Sequence, residues 1–192
     1  PSGAKADAAR GPSHNIDFIW QSASMEGRSA ETVGAAREFA ANAPAEMIKQ
    51  MPDMETAPAA PIAALVRFGR WDEVLAEKAP PREWLYTSGV WHYARGVALN
   101  AKGQAADAAG ELRALEAILQ SVPAERTTAF FFRTKNLLQL SANLLAGEIA
   151  AKAGDFTTAE RLLRAAVAEQ DSHWFTEPPP WYFPVRQALG AV

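Results

Sequence analysis

One phrase recurs four times along this chain: an apolar stretch at helical spacing, a glycine with a polar or charged residue, then a second amphipathic stretch. The pairs are Gly27-Arg28, Gly69-Arg70, Gly103-Gln104 and Gly154-Asp155. Glycine reaches the left-handed backbone conformation that ends many helices at little steric cost, so each pair marks a reversal between two helices. A single helix pair cannot bury its apolar face alone, and repeated pairs do so by stacking. The recurrence therefore predicts an all-α fold, an α-solenoid of antiparallel helix hairpins. Such arrays mostly bind other molecules along an extended concave face.

Residues 1–12 are small, polar and broken by glycine and proline, and are expected to be a flexible N-terminal segment. Residues 13–192 are expected to form one helical-repeat domain, long enough for a sizeable core. Hairpins are predicted at about 14–42, 56–78, 86–120 and 135–169, with irregular loops inserted between them. In the first, Ile16, Ile19, Trp20 and Ala23 share one helical stripe, and Ser13 and Ser29 are the expected caps. Four prolines within 43–61 allow a short turn around Met47 to Met51 but no long helix. Pro178-Pro179-Pro180 favours extended polyproline backbone. Residues 181–192 read as an incomplete last repeat, the start of a first helix without its partner.

Composition narrows the chemistry. There is no cysteine, which removes disulfides, thiol nucleophiles and thiolate metal sites. Net charge is −3 with both signs interspersed, so no basic face marks a nucleic-acid binder. Apolar stretches fall far short of the roughly 20 residues of a membrane span, so membrane insertion is not expected. The chain starts at Pro1 rather than Met, as removal of a leader or preceding domain would leave it, and nothing fixes the compartment.

The sequence holds no GxSxG, P-loop or GxGxxG motif, and no feature calls for a cofactor. Its three histidines, His14, His92 and His173, are widely separated. Asp72-Glu73 reads as first-turn charge on a helix. Aromatic residues gather at Trp84, Tyr86, Trp91 and Tyr93, and again at Trp174, Phe175, Trp181, Tyr182 and Phe183. Most such residues pack cores; Trp91, Trp174, Trp181 and Tyr182 are the candidates for an aromatic wall facing a ligand. Phe130 to Phe132 are expected to plug a gap between repeats, and Glu177 and Arg186 to pair locally.

The two clearest hairpins resemble tetratricopeptide repeats. With Gly103 or Gly154 as the turn glycine, Gly96 with Ala108, and Gly147 with Ala159, fall on that family's small-residue positions, and Leu112 and Leu163 on its large one. In 14–42 the match is partial, Trp20 and Thr32 standing where small residues are usual, and in 56–78 it is poor. His14-Asn15-Ile16-Asp17-Phe18, Arg67-Phe68-Gly69-Arg70-Trp71-Asp72 and Glu177-Pro178-Pro179-Pro180-Trp181-Tyr182 also resemble phrases of bacterial tetratricopeptide proteins without an assigned activity. The resemblance implies a right-handed superhelix whose first helices line a concave groove.

Carried over residue by residue, that groove presents His14, Asp17, Gln21 and Ser24 from the first repeat. The third offers Val90, Tyr93, Val97 and Asn100, and the fourth Ser141, Leu144, Glu148 and Ala151. The Lys/Asn/Arg clamp with which some members grip a C-terminal carboxylate is missing. Asp17, Glu148 and the Trp/Tyr set suit a peptide with a basic or aromatic element instead. The expected function is a non-catalytic scaffold that binds a protein or peptide in the groove. The alternative is a small-molecule- or metal-binding protein or enzyme that assembles His14, Asp17, His92 or His173, Trp91 and the region from Trp174 to Tyr182 in the cup. An unfinished last hairpin would also leave an open C-terminal end for self-association.

Overall fold

A computed structural model describes residues 2–128 and 131–192, with side chains described from residue 14 onward. It is all-α apart from one short β-bridge. The helices are α1 (Ser2–Met25), α2 (Ser29–Ala41), α3 (Ala45–Gln50), α4 (Thr56–Arg67), α5 (Trp71–Ala76), α6 (Leu85–Ala101), α7 (Ala105–Ser121), α8 (Thr134–Lys152), α9 (Phe156–Ser172) and α10 (Arg186–Leu189). A 3-10 turn, Pro52–Glu55, leads into α4. Strands β1 (Thr127–Thr128) and β2 (Phe132–Arg133) pair antiparallel within the 121–134 connection. Among the described residues no helix is long and apolar enough to cross a membrane.

The predicted reversals sit where α1/α2, α4/α5, α6/α7 and α8/α9 meet. Gly27, Gly69, Gly103 and Gly154 all have positive φ, between 64° and 83°. The first pair packs on the next through its second helix, α2 on α4, whereas the later pairs stack through their first helices, α4 on α6 and α6 on α8, with α7 also against α8. Small residues set the close approach of α6 and α8. A Cβ on Gly89 would lie 2.5 Å from Leu138, and one on Gly96 2.4 Å from Leu145, so the α8 leucines fill the spaces left on α6. Gly147 does the same within the last pair, where a Cβ would come 2.8 Å from Leu163.

Several expectations are corrected. Helix α1 begins at Ser2, so residues 2–12 are helical where a flexible segment is expected; Ala4, Ala6, Ala8 and Ala9 are strong helix formers. Ser13 consequently lies inside α1. The N-cap of α2 is Arg28, with no side-chain cap, and Ser29 is already helical. Helix α4 starts at Thr56, because Pro58 falls in its first turn, where no helical N–H bond is lost. Phe132 is buried at 1% exposure whereas Phe131 is 72% exposed, so the aromatic run does not plug a gap as a unit; Phe130 lies outside the described residues. The largest change is at the end of the chain. Residues 181–185 are not helical, and the only helix there, Arg186–Leu189, is four residues long.

Candidate functional site

The face built by α1, α4, α6 and α8 is occupied along much of its length by the chain itself. From Pro178 to Phe183 the backbone is irregular, and its side chains are laid across these helices. Trp181, 1% exposed, meets Tyr93 of α6 edge-on at 5.3 Å. The hydroxyls of Tyr93 and Tyr182 lie 3.4 Å apart. Three anchors hold the segment from behind: Gln170 of α9 donates to the Phe183 carbonyl (2.9 Å) and accepts from the Val185 N–H (2.8 Å). Arg186 clamps Asp171 with two 2.5 Å bonds, so it pairs with Asp171 and not with Glu177.

On either side of Trp181 and Tyr182 the groove keeps a space. One is a pinched cavity of about 50 Å³ between Asp17, Trp20, Gln21, Phe39, Tyr86 and the Pro178–Trp181 stretch. Here Asp17 is committed internally. Its Oδ1 accepts from Trp20 Nε1 (2.7 Å) and Gln21 Nε2 (3.1 Å), and burial raises its pKa against those bonds and the charge of His14. The other is an open cavity of about 320 Å³, walled by Arg67, Trp71, Tyr93, Asn100, Glu148, Tyr182 and Phe183. It is the candidate site.

Glu148 dominates its chemistry. Burial pushes the carboxyl up to about 7, and among the described residues it forms no ion pair. Its main-chain carbonyl accepts from Asn100 Nδ2 at 3.1 Å, which ties α8 to α6 beside the cavity. Burial raises Tyr93 and Tyr182 well above the ordinary tyrosine value, so both keep their protons and can donate. Arg67, across from α8, bonds Gln187 Oε1 at 3.1 Å and also has no carboxylate partner among the described residues. The site thus holds one acid and one base that do not neutralise each other, set among aromatic faces.

Of the residues predicted for the groove, Tyr93, Asn100 and Glu148 converge here, and Tyr182 of the proposed aromatic wall joins them. Asp17, Gln21 and Trp181 share the smaller space. Val97 also lines the larger space and Val90 the smaller, and the others are placed elsewhere. Ser24 is 2% exposed, its hydroxyl bonded to the Gln21 carbonyl, and Ser141 and Leu144 are fully buried, because these positions face neighbouring helices rather than the cup. His14 is exposed and meets Phe18 edge-on at 4.8 Å. Trp91 turns toward α5, donating to the Glu77 carbonyl (3.1 Å) with Arg95 stacked 4.6 Å from its ring. Trp174 stacks on Phe132 at 4.2 Å in the β-bridge region.

The alternative His/Asp/Trp cluster is accordingly not assembled. His92 bonds Glu111 of α7 at 2.6 Å, His173 packs on Phe132, and no group of three His, Cys, Asp or Glu among the described residues is placed to hold a metal.

Arg67, Trp71 and Phe183 escaped the sequence reading. The first two sit in the hairpin whose repeat register is poorest, and Phe183 arrives through a segment expected to be helix. Compared with protein-family models, with curated proteins and with solved structures, the chain matches none.

Proposed function

We propose that the chain is a tetratricopeptide-type α-solenoid acting as a non-catalytic interaction module, whose groove takes an extended peptide of a partner protein. The observation that carries this reading is the seat of Pro178–Phe183. A non-helical, proline- and aromatic-rich segment already lies on the face lined by the first helices, with its side chains in spaces between them. A surface that accommodates one such segment has the width and aromatic lining to accept another. A second reading, a small-molecule binder, is favoured by the 320 Å³ cavity, which falls at the lower end of ligand-pocket sizes.

Selection of random peptides displayed on phage tests the first reading. Clones enriched on the wild type are expected to lose binding to an Arg67→Ala/Trp71→Ala/Glu148→Gln variant of unchanged helicity. Tyr93 and Asp17 are unsuitable for replacement, since one is 1% exposed and the other is tied to Trp20 and Gln21. Enriched clones that bind both proteins alike would remove the groove from the interaction. Failure to enrich any clone would favour the small-molecule reading.

A further inference from the structure

We propose that the Glu148 cavity is a recognition pocket for a basic side chain, arginine or lysine, of an extended peptide; this assignment rests on the groove reading above and specifies the ligand it takes. Glu148 is the only carboxylate lining the cavity, and nothing among the described residues neutralises it. Leaving a carboxylate desolvated and unpaired is unfavourable, and a ligand that supplies the counter-charge relieves that cost on binding. A metal ion is a poor candidate, because one carboxylate without neighbouring acids or histidines offers too few ligands.

The remaining walls fit an organic cation. Trp71, Tyr93, Tyr182 and Phe183 present aromatic surface, which attracts guanidinium and ammonium groups. The Asn100 side chain uses its N–H on the Glu148 carbonyl, so its oxygen remains as a further acceptor. Arg67 stands on the α4 side, where its charge repels a second cation and confines the ligand's head group to the Glu148 side. An aliphatic stem of three or four carbons lies against the aromatic faces while its head reaches Glu148.

The charged and titratable groups around Glu148 are Arg67 from α4, Tyr93 from α6, Tyr182 from the C-terminal segment and Lys152 one turn on in α8, the last within 3.5 Å of the Ala101 carbonyl. Burial raises Tyr93 and Tyr182, so both keep their protons and add no charge beside Glu148. A bound cation favours the ionised carboxylate, so affinity falls as pH drops below about 7.

The test is a titration of the full chain with N-acetyl-argininamide, N-acetyl-lysinamide and uncharged N-acetyl-norleucinamide, followed by amide NMR shifts in α6 and α8. Both cations are expected to bind at least tenfold more tightly than the norleucine compound at pH 8. They should weaken about tenfold between pH 8 and pH 6. Glu148→Gln should remove both the preference and the pH dependence, whereas Arg67→Gln should tighten the cations, an opposite sign that mere loss of structure would not give. Equal binding of charged and uncharged probes, no saturable binding, or an unaltered Glu148→Gln would overturn the proposal. Selected peptides that lack Arg and Lys and bind Glu148→Gln like the wild type would overturn it while leaving the groove reading intact.

Discussion

Two carboxylates withdrawn from solvent, the buried Glu55 and the half-buried Glu148, have opposite fates. Glu55 is fully buried, yet it is satisfied: it accepts from the Tyr86 N–H (2.7 Å) and the Thr87 N–H (3.2 Å) at the start of α6, and pairs with Arg126. It supplies the negative charge that a helix N-terminus favours, from 31 residues upstream. Glu55→Ala would strand two backbone donors and the Arg126 charge, so a loss of roughly 2–4 kcal/mol is expected in urea unfolding. A loss below 1 kcal/mol would mean water takes over the cap. Glu148 has no such partners. It titrates at about 7 in the fold against 4.5 ordinarily. Between those values the folded chain holds a proton that the unfolded chain has released, so stability falls as pH rises through that window and the loss is complete above about 7. The gap corresponds to about 3 kcal/mol. Glu148→Gln is therefore expected to be more stable than the wild type by about 2–3 kcal/mol at pH 8 and indistinguishable at pH 4. A wild type as stable as the variant at pH 8 would show that the carboxylate has found a partner in solution.

Among the helices, shape complementarity is carried by glycines facing leucines. Gly147 on α8 accommodates Leu163 of α9, a residue with no exposed surface and so no free direction in which to move. Gly147→Ala gains about 1 kcal/mol of helix propensity. It also forces a contact that is expected to cost more, leaving a net loss of about 1–2 kcal/mol. Adding Leu163→Ala should then cost less in the Gly147→Ala background than in the wild type. Additive losses in that cycle would mean the two helices simply separate. The C-terminal segment behaves as a further packed element although it is not a helix. Trp181→Ala removes its largest buried side chain, and a loss of about 3–5 kcal/mol is expected, with faster hydrogen exchange confined to 178–189 and α9.

At the level of the whole molecule, a peptide entering the proposed groove would meet the segment from Glu177 onward on the same face. Deleting residues 177–192 should leave the helical signal per residue nearly unchanged and raise the affinity of groove-selected peptides, if those peptides occupy the seat of Trp181. Peptides that bind the truncated chain no better would have to lie alongside the segment, over the Glu148 cavity. The two outcomes are separated by whether a peptide protects Tyr86 and Val90 or Asn100 and Glu148 from exchange, since these residues line the two different spaces.

Features that depend on single residues and near neighbours could be read from the chain alone. The four reversals were legible because positive φ is a local demand that glycine meets, and the helices because apolar spacing and alanine content act within one or two turns. Tyr93, Asn100 and Glu148 are named only through the register of the repeat family that two hairpins resemble; Tyr93 and Asn100 lie about two turns apart on α6, and the packing of α6 on α8 is what brings Glu148 beside them. The tertiary structure alone decided the rest. Whether Ser24, Ser141 and Leu144 face the cup or a neighbouring helix turns on rotations smaller than one residue step. Arg67 and Trp71 enter the site because α4 and α5 pack beside α6. Pro178 to Phe183 lie across the groove instead of continuing the array because that seat buries Trp181 and Tyr182 against residues some 90 positions away. Contacts of that sequence separation leave no trace in local pattern, since no short-range rule says which distant surface an aromatic residue will cover.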